Sequence, residues 1–401
     1  MEYVRLKDIG RIVTGNTPPT SKPEYYGDYM PFIKATDIPL GAKCTLYTEQ
    51  SYSKLAAEKY KESLVPKGST CVVTIGSIGK KMTYAHTDLF VNQAINAIVP
   101  KKSYDKEYVY YDVKYSVLPQ LKKLDSGTTS GRENVSKSSF SSIRIPIIRD
   151  KNIQHRIASI LSTYDSLIEN NTKRIRLLEK MAENLYKEWF VRFRFPGHEN
   201  VEMENGLPKG WKYFRIEELC GINKHTLKVA KAPKEILYLD TGSITCGKIS
   251  ELDSIPFVDA PSRARRLVKH NSIVYSTVRP SLQHYGILKE PPSNMVVSTG
   301  FAVLDCKYDI SNIVYLALSH PSVYKYCSLI ADCAVATYPS IKPKEIGKVS
   351  MALPSLEVAV EWNSKFECFY RAIQKLRKQN TILARQRDLL LPRLMSGKLE
   401  V

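Results

Sequence analysis

Residues 366–394 read FECFYRAIQKLRKQNTILARQRDLLLPRL, and residues 157–185 read IASILSTYDSLIENNTKRIRLLEKMAENL. These two stretches decide the fold. A shift of 209 positions lays Phe366, Phe369, Ile373, Leu376, Asn380, Leu383, Leu390 and Leu394 on Ile157, Ile160, Tyr164, Leu167, Asn171, Arg174, Met181 and Leu185. Seven of those eight pairs are apolar on apolar or Asn on Asn, so the chain repeats itself. In the downstream copy, positions 366, 369, 373, 376, 380, 383, 387, 390 and 394 advance in alternating steps of three and four, the heptad seam of a coiled coil. In the upstream copy the same spacing runs from Ile153 through 157, 160, 164 and 167, then 175, 178, 182, 185 and 189. It predicts a helix of about 40 residues, or ~60 Å. Asp150 or Asn152 can cap its start, and Phe195-Pro196-Gly197 ends it. Asn171 and Asn380 hold equivalent seam positions, where a polar residue costs stability but fixes register. A domain-sized segment separates the two helices, which makes an antiparallel pairing the expected one.

Each helix follows a strand-rich region. In the first, the β-branched run at residues 70–75, flanked by Gly68 and Gly76, predicts a buried strand. Residues 90–100 predict another, residues 127–142 an exposed loop, and residues 143–148 a return to the core. The polar, acidic, Gly- and Pro-marked residues 198–210 read as a linker, and Trp211 opens the second globular half. The expected order is therefore a globular domain at 1–150, a long helix at 151–197, the linker, a second domain at 211–355 and a second long helix with tail at 356–401. This is an α+β chain with a pseudo-two-fold internal repeat. Such a chain suits a target with its own rough two-fold symmetry, and duplex DNA is the commonest.

The totals agree. At 401 residues, with 43% hydrophobic and 25% charged residues, the chain can bury two cores. Its net charge of +19 is spread over every segment, which points to a polyanionic partner. The eight Cys form no CxxC pair and no zinc spacing with His, so no metal is expected. No apolar stretch approaches 18 residues, and Met1-Glu2-Tyr3-Val4-Arg5 leads into a strand-like run. The expectation is a chain with neither membrane span nor signal peptide, in a reducing cytoplasm with free thiols.

Marks of catalysis are missing. Gly76-Ser77-Ile78-Gly79-Lys80 is too short for a phosphate-binding P-loop and runs into Lys81. Asn16-Thr17-Pro18-Pro19-Thr20 has an inserted Thr and no aromatic where an adenine methyltransferase needs Pro-Pro-aromatic directly after its polar residue. No Gly-rich dinucleotide fingerprint precedes a helix, so no cofactor is expected. DNA-reading groups are better represented. Base edges are read by Arg, Lys, Asn and Gln, while further contacts position the backbone. The second half offers Arg263, Arg265, Arg266 and Lys269, then Arg279, Gln283, His284 and Tyr285, and Ser340, Lys342 and Lys344 before its helix. The first half offers Lys34, Thr36, Lys80 and Lys81, and the loop residues Ser130, Arg132, Asn134 and Lys137. The 25 Tyr are scattered over strands and helices, which suits packing better than a base-stacking platform.

Several segments carry a resemblance. Leu185-Tyr186-Lys187-Glu188-Trp189-Phe190-Val191-Arg192-Phe193-Arg194-Phe195-Pro196-Gly197 precedes Gly206-Leu207-Pro208-Lys209-Gly210-Trp211. With them stand Asn92-Gln93-Ala94-Ile95-Asn96, Ser276-Thr277-Val278-Arg279-Pro280, Val297-Ser298-Thr299-Gly300-Phe301 and Leu391-Pro392-Arg393-Leu394-Met395-Ser396-Gly397. In this order, over the whole length, the chain resembles a specificity subunit of a type I restriction-modification system. The resemblance implies two similar target recognition domains separated by two long helices that form an antiparallel coiled coil. It implies a subunit that reads a bipartite, asymmetric site in double-stranded DNA. Methyl transfer, translocation and cleavage would belong to partners: two modification (methyltransferase) subunits, and restriction subunits joined through the complex. The outer helix residues Leu177, Tyr186, Phe190, Ile382 and Leu389 are candidates for docking the modification subunits, or else for contact with the adjacent recognition domains. One departure limits the transfer. Gly76-Ser77 stands in the first half where the second has Arg279-Pro280, so a contact by Arg279 has no first-half counterpart. The competing expectation is a coiled-coil scaffold that binds nucleic acid without sequence choice.

Overall fold

The computed structural model describes residues 2–126, 133–250, 252–334 and 339–401. The chain folds as two compact units, Met1–Lys173 with Leu376–Val401, and Arg174–Lys375.

The first unit is built on a four-stranded antiparallel sheet in the order Gly10–Thr14, Ile95–Pro100, Thr70–Val73, Met82–Tyr84. Thr70–Val73 is the buried β-branched run, and all four of its residues are covered. Residues 90–100 are not one strand. Phe90–Val91 pairs parallel to Tyr26–Ile33 in a three-stranded sheet with Gln50–Tyr52, while Ile95–Pro100 joins the four-stranded sheet. The polar Asn92-Gln93 pair breaks the run: Ile95 N–H closes a turn on the Asn92 carbonyl at 3.0 Å. Glu2–Arg5 pairs with Arg144–Ile147 beside this sheet. The loop expected over residues 127–142 holds a short helix, Lys137–Ser142, because the Ser136 hydroxyl caps the Ser139 N–H at 3.1 Å and Phe140 is buried.

The long helices complete the first core. Helix Lys151–Tyr186 starts at Asp150, whose carboxylate accepts from the N–H groups of Asn152 (2.7 Å) and Ile153 (3.3 Å). Its residues to Lys173 pack against the last twenty residues of helix Leu356–Met395. Ile157 and Leu161 share a core with Leu391 and Leu394, Asp165 meets Arg387, and the Asn171 amide donates to Asn380 at 3.0 Å. Numbers rise on one helix as they fall on the other, so the pairing is antiparallel, with the two seam Asn residues bonded to each other.

The second unit repeats the topology. Its four-stranded antiparallel sheet runs Cys220–Ile222, Phe301–Cys306, Ser272–Ser276, Tyr285–Leu288. A second sheet runs Asp253–Pro256, Glu235–Leu239, Met295–Ser298, Ala264–Leu267, again with one parallel pairing, between Glu235–Leu239 and Met295–Ser298. Lys212–Arg215 pairs with Ser350–Leu353, matching the first unit's outer strand pair. Residues 198–210, expected as a linker, are ordered: Met203–Glu204 and Leu207–Pro208 form a hairpin turned by Asn205 and Gly206, both at positive φ. Here too the helices run antiparallel, for Trp189 lies 4.9 Å from Trp362 and 6.0 Å from Phe366, ring to ring. Helix Lys151–Tyr186 continues as a wider π-turn, Lys187–Val191. Among the described residues no helix is long and apolar enough to cross a membrane.

Candidate nucleic-acid interface

In the first unit three loops meet beyond the ends of the central strands. Thr74 N–H donates to the Ala94 carbonyl (2.8 Å), Gly76 N–H to Glu133 (2.9 Å), and Val135 N–H back to Thr74 (2.8 Å). Ile75 and Asn134 form the bridge between the last two loops. Below them Asn96 is buried between Thr14 (2.7 Å) and Thr74 (2.8 Å), which pins the strand ends.

The second unit builds the same junction from other residues. Thr277 N–H donates to Gly300 (2.8 Å), Arg279 N–H to Pro339 (2.8 Å), and Ile341 N–H to Thr277 (2.8 Å), with Val278 bridged to Ser340. Gly76 and Arg279 occupy the same place, and both have left-handed backbone, with φ +85° and +46°. Glycine adopts that conformation freely; arginine does so at a cost of roughly 1–2 kcal/mol.

The candidate residues sort by position. In the first unit, Lys34 and Thr36 lie in the turn after Tyr26–Ile33, Lys34 paired with Glu49. The Lys81 ammonium reaches into that turn to the Ala35 carbonyl (3.1 Å), with exposed Lys80 beside it. Asn134 sits in the junction, and exposed Lys137 begins the short helix that follows. These residues therefore form one neighbourhood. Ser130 and Arg132 lie outside the described residues.

In the second unit, Arg263, Arg279, Ser340 and Lys342 gather around the junction. The Arg263 carbonyl accepts from Thr299 N–H (2.8 Å), next to Gly300, and its guanidinium lies 3.6 Å from Asp240. Lys344 is exposed on the short helix Pro343–Gly347. Arg265 and Arg266 lead away along their strand. Arg265 lies over the Phe257 ring at 5.5 Å and donates to Ala264, and Arg266 donates to Thr226 at 3.3 Å. Lys269 is at the far end of that strand, in the turn to Ser272. Gln283 and His284 adjoin the small hairpin of Ile244–Thr245 and Lys248–Ile249: Cys246 N–H donates to the Gln283 carbonyl (3.0 Å), and His284 Nδ1 lies 2.7 Å from the Ile244 carbonyl.

Three expectations need correction. Tyr285 is buried and stacked on Tyr275 at 5.5 Å, and burial pushes its hydroxyl pKa well up, so its ring has no face to offer DNA. Tyr186 and Phe190 are buried as well. They stack on each other at 5.2 Å, and Phe190 packs against Trp211, Trp362 and Phe366. They belong to the second unit's core, whereas Leu177, Ile382 and Leu389 are exposed.

Some residues were overlooked. Exposed Gln93, bonded to Thr17, lies in the Asn92–Ala94 break next to the first junction. Exposed Lys224, His225 and Lys228 flank Thr226, where Arg266 is anchored. The break in residues 90–100 was the signal for Gln93; the second segment had only its charge. Among the described residues no group of three or more His, Cys, Asp or Glu is placed to hold a metal ion.

Known proteins bear on this arrangement. The profile of the type I restriction modification DNA specificity domain matches residues 1–180. The type I restriction enzyme MjaIX specificity subunit of Methanocaldococcus jannaschii is 27% identical, over 99% of this chain and 93% of its own. The HindI specificity subunit of Haemophilus influenzae is 31% identical over 44% of this chain and 38% of its own. The crystal structure of a type I restriction-modification S subunit from Mycoplasma genitalium covers 98% of this chain and 95% of that one at 18% identity, with a TM-score of 0.58, and so shares the fold. The duplicated α+β units and their paired helices are the fold that this chain shares with that S subunit. Over its whole length the chain is similar to the specificity subunits of type I restriction-modification systems.

Proposed function

We propose that residues 1–150 and 211–355 are two target recognition domains, each reading one half of a bipartite, asymmetric DNA site. Residues 151–197 and 356–401 are the spacer helices, and their length sets the unread gap. The observation that carries this reading is the junction built twice on the same backbone hydrogen bonds with different side chains exposed around it. A common scaffold with different readers suits two unlike half-sites, and the surrounding Lys and Arg suit phosphate positioning. Leu177, Ile382 and Leu389 are exposed apolar residues on the helices and serve two modification subunits, through which restriction subunits join.

The test is to co-express the chain with its modification partner in a host lacking other methylases and to map methylated adenines. A single bipartite motif with a fixed gap and unlike halves is the expected result. A complex that forms and binds DNA with salt-dependent affinity alone, without any motif, refutes the reading in favour of a sequence-independent scaffold.

A further inference from the structure

Cys220 and Cys306 face each other across an antiparallel strand pair. Lys307 N–H donates to Leu219 (2.9 Å) and Asn223 N–H to Val303 (2.8 Å), which marks those two pairs as hydrogen-bonded ones. Bonded and non-bonded pairs alternate, so Cys220 and Cys306 form a non-bonded pair, with α-carbons about 4.5 Å apart. That is within the range a disulfide spans, about 4.4–6.8 Å. The two Sγ atoms are already 3.3 Å apart, and both cysteines are free thiols. The first unit holds Gly10 opposite Pro100 at the corresponding strand pair, so the fold itself does not require sulfur there.

We propose that Cys220 and Cys306 are a reversible thiol–disulfide site whose oxidant is a small hydroperoxide. Cys306 is partly exposed and Cys220 is buried, so the peroxide meets Cys306. The Cys306 thiolate attacks one peroxide oxygen: an S–O bond forms, the O–O bond breaks, and the leaving hydroxide takes a proton to become water. The Cys220 sulfur then attacks Cys306. The S–S bond forms, the S–O bond breaks, and the departing hydroxide takes the Cys220 proton as a second water. Two thiols and one peroxide give one disulfide and two waters, with sulfur oxidised and peroxide oxygen reduced. A dithiol reverses the step by exchange. The hydrogen bond from Cys220 favours the thiolate of Cys306, whose pKa lies below the ordinary thiol range; the same bond and burial push Cys220 up.

The bond closes the stretch of chain that carries Arg263, Arg279, Gln283 and His284. It therefore restricts the unfolded chain and raises the resistance of this unit to unfolding while leaving the loops in place.

The experiment treats the reduced full chain with hydrogen peroxide, blocks remaining thiols and maps linked peptides by mass spectrometry. A Cys220–Cys306 peptide, its removal by dithiothreitol and a higher urea midpoint for the oxidised form are expected. Cys306→Ser abolishes the link, and Cys220→Ser leaves a sulfenic acid on Cys306 that dimedone captures. Thiols intact at 220 and 306 after the exposed Cys246, Cys333 and Cys368 have been oxidised overturn the proposal. So does linkage of either residue to a different cysteine.

Discussion

Replacing Arg387 by Met will loosen the first unit more than any loss of surface charge could. Arg387 and Asp165 are each 1% exposed, bonded to one another inside the helix pair. Arg387 also donates to the Gly41 carbonyl (3.1 Å) and to Asp388 (3.0 and 3.2 Å), while Asp165 accepts from the Tyr111 hydroxyl at 2.5 Å. Burial opposes the charge on Arg387, but the bonds to Asp388 and Asp165 outweigh it and hold its pKa above the usual arginine value. Removal of the guanidinium leaves the Asp165 carboxylate dry with one hydroxyl for company. Breaking a buried pair in this way costs ~3–5 kcal/mol, whereas exchanging the whole pair for apolar residues is neutral or stabilising by ~1–4 kcal/mol. The exchange must include Tyr111→Phe, because an orphaned buried hydroxyl costs ~1–3 kcal/mol by itself. Two units need not unfold in one transition, so the assay is hydrogen exchange on peptides from residues 151–173 and 376–395. Arg387→Met should speed exchange there by roughly a hundredfold or more, and the triple variant Tyr111→Phe, Asp165→Leu, Arg387→Met should restore protection. A single variant within ~1 kcal/mol of the parent, or a triple variant worse than the single, refutes the reasoning.

Replacing both Asn171 and Asn380 with Leu should raise stability by roughly 1–3 kcal/mol, since two polar seam groups are exchanged for apolar packing; urea unfolding measures it, and a loss of stability contradicts it. Burial raises the Asp112 carboxyl to about 7, and among the described residues only Ser116 is seen to donate to its side chain. Between about pH 4 and 7 the folded state holds a proton that the unfolded state has lost, so stability is greatest at the low end, falls through this window and levels off above it. The fall amounts to as much as ~4 kcal/mol, and Asp112→Asn should flatten it; a variant with an unchanged pH profile removes the assignment. Arg279→Gly should raise the melting temperature, because it relieves about 1–2 kcal/mol of left-handed strain, and should still weaken DNA binding. A variant that is more stable and binds as before shows that the side chain does not touch DNA.

The helices were legible because a heptad seam is a local, periodic signal. The Asn pair at 171 and 380 told the register before any contact was known. The strands were legible where burial was uniform, as at Thr70–Val73, and misread where one apolar run served two sheets, as at residues 90–100. Burial on the helices was the weakest inference. Tyr186 and Phe190 lie off the heptad stripe, which predicts exposure, yet Tyr186 stacks on Phe190, and Phe190 packs against Trp211 and against Trp362 and Phe366 of the partner helix. Periodicity assumes a regular α-helix, and the wider turn Lys187–Val191 breaks that regularity at Phe190; it also carries no information on a distant residue such as Trp211. The same limit hid the difference between Arg263 and Arg265, two residues apart, since one lies at the junction and the other rests on Phe257.

Under the proposed function, the junction explains how one fold can serve two different readings. Its bonds run from backbone N–H to backbone carbonyl, so they ask nothing of the side chains around them. A loop held in that way can change its exposed residues without losing its place. The one demand is a left-handed backbone at the position of Gly76 and Arg279. At Gly76 a β-carbon would meet open space, so the site excludes side chains by conformation rather than by crowding. Arginine can therefore occupy it whenever what it contacts returns the cost of roughly 1–2 kcal/mol, about what one good contact to a base edge contributes to discrimination. A strained arginine in one unit and a relaxed glycine in the other is then the expected signature of two domains that share a scaffold and read different DNA.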